Sequence, residues 1–132
     1  MDKPTDKRSR LAELAKKYNL GKEDFFKIHN SVIITRTGVE KIAMVARISL
    51  DYKIVIVDLT NKEACIECTA TMPSENGVKT ITTFGESTPY NTKNAYPVAM
   101  AEKRAKARAI LMLTEFYSEG VYSEDESDDF KR

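Results

Sequence analysis

The segment Glu63-Ala64-Cys65-Ile66-Glu67-Cys68-Thr69-Ala70-Thr71-Met72 alternates without a break: Ala64, Ile66, Cys68, Ala70 and Met72 take one parity, Cys65, Glu67, Thr69 and Thr71 the other. Successive side chains of a strand point to opposite faces, so this period of two predicts a strand with one dry and one wet face. The wet face is open to a ligand. On either side lie two further runs, residues 52–59 and 78–84, joined to it by Thr60-Asn61-Lys62 and by Pro73-Ser74-Glu75-Asn76-Gly77. Links this short and rich in turn formers connect neighbours in an antiparallel meander.

Upstream, Ser31-Val32-Ile33-Ile34-Thr35 is a β-branched run that fits one more strand, and Thr37-Gly38-Val39-Glu40 matches the S/T-x-x-E capping box. A helix is expected from there to about Ser49, with Val39, Ile42, Ala43 and Ala46 on one face. Residues 9–18 place Leu11, Leu14, Ala15 and Tyr18 at helical spacing and stop at Asn19-Leu20-Gly21, and a short second helix is expected over 23–29, anchored by Phe25, Phe26 and Ile28.

Downstream, a polar loop over 85–93 leads to Tyr96-Pro97, a helix start with proline at the first helical position. The long helix expected over 96–117 carries Val98, Ala101, Ala105, Ala109, Met112 and Phe116 on one narrow stripe, where alanines let a helix approach a sheet closely. Lys103 and Lys106 flank that stripe on one side, Arg104 and Arg108 on the other. The expected fold is therefore α+β, an antiparallel three- to four-stranded meander covered by a long C-terminal helix, with short N-terminal helices. It forms one domain over 1–122, with N-terminal helices at 9–29, a core at 31–117 and a disordered acidic tail at 123–132.

The net charge of +1 conceals a segregation. Lys93, Lys103, Arg104, Lys106 and Arg108 meet one acid in their stretch, Glu102; then Glu115, Glu119, Glu124, Asp125, Glu126, Asp128 and Asp129 follow with no Lys or Arg between them. A basic element followed by an acidic one points to a polyanion site beside a solvated or partner-binding tail. No apolar run suits a signal peptide or a membrane span, and two cysteines are too few for a secreted disulfide framework, so a cytoplasmic protein is expected.

Catalytic chemistry finds little footing. Cys65-x-x-Cys68 lacks a second ligand pair for zinc, and on a strand residues three apart face opposite ways. His29 is the only histidine and matches no nucleophile motif, and Gly38 and Gly85 stand alone without a phosphate loop. No enzyme activity, metal or cofactor is expected. Residues 83–109 instead gather amides, hydroxyls, aromatic rings and cations, the groups that single-strand binding uses to neutralise phosphates and stack bases. The candidates are Lys93, Lys103, Arg104, Lys106 and Arg108 for phosphates, with Tyr90, Asn91 and Tyr96 toward bases. A solvated helix face and ordinary loop packing are the plain alternatives for the same residues.

The run Ala101-Glu102-Lys103-Arg104-Ala105-Lys106-Ala107-Arg108-Ala109-Ile110-Leu111 resembles the helix of phage single-strand annealing proteins, including the essential recombination function family. That resemblance implies a β-β-β-α core, assembly of subunits into rings or filaments, and single-stranded DNA in a basic groove, with no metal or nucleotide. Arg104 and Arg108 match the motif's arginines, and Lys103 and Lys106 its variable basic positions. The end, Ser123-Glu124-Asp125-Glu126-Ser127-Asp128-Asp129-Phe130, looks like the acidic, phenylalanine-tipped tails by which bacterial single-strand DNA binding proteins recruit partners, although Lys131 and Arg132 follow here. The expected function is non-catalytic single-stranded DNA binding and strand annealing in phage or bacterial recombination or replication, by a homo-oligomer in the host cytoplasm whose tail docks a replication or recombination protein. RNA in place of DNA stays open. The alternative is a protein-interaction or regulatory module, with the basic helix for oligomerisation and the acidic tail for partner docking.

Overall fold

A computed structural model describes residues 7–90 and 96–126. Its elements run α1 (Lys7–Lys17), β1 (Phe25–Ile28), β2 (Ser31–Ile34), α2 (Arg36–Ala46), β3 (Ser49–Asp58), β4 (Glu63–Ser74), β5 (Gly77–Ser87), α3 (Pro97–Leu113) and β6 (Val121–Ser123). The fold is α+β. The larger sheet is the antiparallel meander β3-β4-β5; the smaller has the order β1-β2-β6, with β2 antiparallel to β1 and parallel to β6.

The alternation of β4 is realised residue by residue. Ala64, Ile66, Cys68, Ala70 and Met72 are buried, while Cys65, Glu67, Thr69 and Thr71 lie on the opposite, partly exposed face, where Thr69 and Thr71 pair with Thr82 and Thr80 of β5. α3 lies across the dry face. Ala101, Ala105 and Ala109 are fully buried in it, and the short side chains let the helix backbone come down onto the strands. Gly85 completes the contact: a Cβ there would run into the carbonyl oxygen of Ala101 and the amide nitrogen of Ala105, so only glycine permits this approach. Two residues before Gly85 on β5, the Thr83 hydroxyl donates to the Ala105 carbonyl at 2.6 Å.

The other flank of α3 builds a second core. Ala107, Ile110 and Leu111 pack with Phe116, Ile34, Val39, Ile42, Val121 and Tyr18, the Tyr18 ring lying 5.7 Å from that of Phe116. α3 is thus buried on two sides. This explains why the expected single stripe fails at its end: Met112 is 44% exposed, and Leu113 takes the buried place.

Several boundaries differ from expectation. Residues 23–29 form no α-helix: a 3-10 turn (Lys22–Asp24) is followed by strand β1, because His29 adopts a left-handed φ of 56° and the Ile28↔Ser31 pair closes a tight hairpin with β2. The helix after β2 is capped by Thr35, whose hydroxyl accepts from the Gly38 amide at 3.0 Å, and not by Thr37. It ends at left-handed Arg47, and α3 ends at Leu113, before the expected 117. The tail does not leave the fold at Ser123. Val121–Ser123 is β6, paired to Val32, Ile33 and Ile34, and Asp125 and Glu126 are buried; residues 127–132 lie outside the described part. Among the described residues no helix is long and apolar enough to cross a membrane.

Candidate nucleic-acid interface

α3 sets out its cations on two edges, as the spacing implies, but the chain's own acids meet them. Arg104 is 3% exposed. Its Nη1 donates to the Glu86 carbonyl at 2.8 Å and its Nε to the Asp125 carbonyl at 3.2 Å, so it staples the end of β5 to the segment after β6. A guanidinium so placed satisfies two backbone acceptors at once. Contact with a ligand phosphate is closed to it in this arrangement, a departure from its expected role.

Arg108, one turn on, is partly exposed. It donates from Nη1 to the Phe84 carbonyl at 2.6 Å and to Glu86 at 2.9 Å, and from Nε and Nη2 to a single Glu126 oxygen, Oε2, at 3.0 and 2.8 Å. The other oxygen, Glu126 Oε1, is buried without a hydrogen-bond partner. Burial works against the Arg108 charge, but Glu126 and Glu86 outweigh it and hold its pKa above the ordinary value. On the opposite edge, Lys106 pairs with Glu40 of α2, and Arg36 at the start of α2 bonds Asp125 at 2.7 Å. That bond, and then the charge of Asp125, raise the Arg36 pKa.

The acidic segment 124–126 therefore lies on the cationic edges of α3. Asp125 bridges them, carboxylate to Arg36 and carbonyl to Arg104. Beside it is a small cleft of about 180 Å³ lined by Arg36, Glu40, Glu102, Lys103, Lys106 and Asp125, among others, in which Lys103 is exposed. The sequence spacing put the cations of α3 on two flanks of that helix and did not show their partners. The signal was present: acids at 124, 125 and 126 follow closely after the arginines at 104 and 108, but a run of acids with serines reads as solvated chain unless its pairing to β2 is known.

The remaining candidates divide. Tyr90 and Tyr96 are 89% and 71% exposed, at the two ends of the segment before α3. Asn91 and Lys93 lie outside the described residues. Cys65 and Cys68 are free thiols on opposite faces of β4, and burial pushes Cys68 up to about 11. His29 sits exposed in the β1–β2 turn. No group of three or more His, Cys, Asp or Glu side chains suited to a metal occurs among the described residues. No family model matches the chain, and no curated protein or solved structure does so either.

Proposed function

We propose that this protein binds single-stranded nucleic acid without catalysis and presents it for annealing, with the α3 edges as its anion site and the segment 124–126 as an internal occupant of that site. The observation that carries this reading is the mismatch at Arg108. A fork of donors meets one carboxylate oxygen while the other is left orphaned, which costs the folded chain an unsatisfied buried acceptor. A phosphate, with several acceptor oxygens, suits a guanidinium fork better. Lys103, Lys106 and Arg36 stand along the opposite edge, across the segment 124–126, and add further cations for phosphates, and Tyr90 and Tyr96 are exposed aromatic residues for bases. Arg104 serves as the staple that holds the site together. Fluorescence anisotropy with a labelled oligonucleotide across a salt series tests this: binding that weakens steeply with salt supports it, and no binding at low salt contradicts it.

A second reading, self-association, is favoured by a different observation. β3 is an outer strand whose Ile54, Val55, Ile56 and Val57 are 66%, 53%, 54% and 37% exposed, with Leu59 beyond them at 65%. An apolar edge this long invites another strand. The basic helix is not the exposed apolar surface, so it is β3 that supports oligomerisation. Light scattering on wild type and Ile54→Lys distinguishes the two: an oligomer that the substitution dissolves supports it, and a wild-type monomer at high concentration removes it.

A further inference from the structure

A groove of about 650 Å³ opens between α1 and β1, on the outer side of the smaller sheet. Leu11, Leu20, Val32, Phe25 and Phe26 are among its lining residues; Phe26 is 39% exposed, and Phe25 also packs against the core. The volume falls in the range of ligand sites. Lys16, Lys22 and Lys27 line it and no carboxylate does. These three amines are also exposed and have no ion pair among the described residues, whereas Arg36, Lys41, Lys106 and Arg108 are all matched by acids of the chain. Three exposed amines without an ion pair among the described residues thus line an apolar groove. β1 is the end strand of its sheet, so alternate backbone N–H and C=O groups of Phe25–Ile28 face away from β2 and can meet base edges.

We propose that this groove is a second nucleic-acid seat, in which bases of a single strand lie against Phe26 while Lys16, Lys22 and Lys27 neutralise the phosphates passing over them. The inference rests on the single-strand reading above and adds a site that remains open when the acidic segment covers α3. Stacking tolerates any base and the cations follow the backbone, so the ligand is a single strand of no fixed sequence.

The test is anisotropy of a labelled oligo(dT) of about 20 nucleotides with the full chain, comparing wild type, Phe26→Ala, the triple Lys16→Glu/Lys22→Glu/Lys27→Glu and the triple Lys→Arg at the same positions. Circular dichroism verifies that each variant is folded. Expected are a loss of at least about tenfold and a salt slope shallower by about 2 for the glutamate triple, retention by the arginine triple, and a loss of at least about fivefold for Phe26→Ala. Wild-type binding that the glutamate triple leaves unchanged overturns this seat and leaves the α3 reading standing. Absence of wild-type binding overturns both. Binding of a labelled acidic peptide, Ser-Glu-Asp-Glu-Ser-Asp-Asp-Phe, that is lost in the glutamate triple, together with unchanged oligonucleotide binding, makes the groove a peptide site and also overturns it.

Discussion

Arg108 and Glu126 are joined through one carboxylate oxygen, Nε at 3.0 Å and Nη2 at 2.8 Å, with Glu126 Oε1 buried and unpartnered. The pair closes the acidic end of the chain over the basic helix, yet leaves an acceptor unsatisfied at the point of closure. An anion with more oxygens competes for the same fork.

Removing the internal competitor raises affinity. The double substitution Asp125→Asn/Glu126→Gln keeps side-chain size and withdraws two charges from the α3 edges. It is expected to tighten oligonucleotide binding by about tenfold, since the fraction of molecules with the edge uncovered limits the apparent affinity. Anisotropy titration measures this, and equal or weaker affinity in the double variant argues that the segment is only a structural clamp.

Arg104 and Lys103 are adjacent in sequence and are expected to fail in different ways. Arg104→Ala takes a donor from the buried carbonyl of Asp125 and from the part-buried carbonyl of Glu86, and is expected to lower stability by about 1 to 3 kcal/mol in urea denaturation. Lys103→Ala, at an exposed position, is expected to leave stability within about 0.5 kcal/mol and to weaken oligonucleotide binding several-fold.

Gly85→Ala tests the close approach of α3 to β5. The added methyl meets helix backbone at Ala101 and Ala105, which cannot swing aside as a side chain does. Overpacking of this kind costs about 1 to 3 kcal/mol, and thermal denaturation is expected to show a lower Tm for this variant. Unchanged stability contradicts the packing described for the seam.

Much of this was legible in the sequence because it rests on period. The alternation of 63–72 defines β4 and its dry face, and the alanines at 101, 105 and 109 define the seam that α3 lays on it. What escaped depends on partners distant along the chain. Phe25, Phe26 and Ile28 suit a helix or a strand equally well, and only the hairpin to β2 selects the strand. Val121–Ser123 is too short to announce itself, and its parallel pairing to Val32–Ile34 brings Asp125 and Glu126 onto the arginines. The basic edge was therefore visible while its occupant was not.

Acid is expected to destabilise the fold through Asp24. Burial pushes its pKa up, but the Gly21 amide and the Lys41 amine, both at 2.9 Å, prevail and hold it below the ordinary 3.8. A depressed carboxylate stabilises the folded chain above its unfolded value, and that contribution disappears as pH falls through the lower folded value. Stability measured from pH 6 downward is expected to drop below about pH 4, and Asp24→Asn is expected to be less stable at pH 6 with a flatter acid limb. A steep, unchanged limb in the variant assigns acid sensitivity elsewhere.

The most direct test of the nucleic-acid reading is the salt dependence of oligonucleotide binding by the full chain, read as the slope of log affinity against log salt. Contacts from Lys103, Lys106, Arg108 and Arg36 contribute about −3 to that slope, beside the share of Lys16, Lys22 and Lys27, and Lys103→Ala is expected to make it less steep by about 1. A slope near zero, or no detectable binding at low salt, contradicts it.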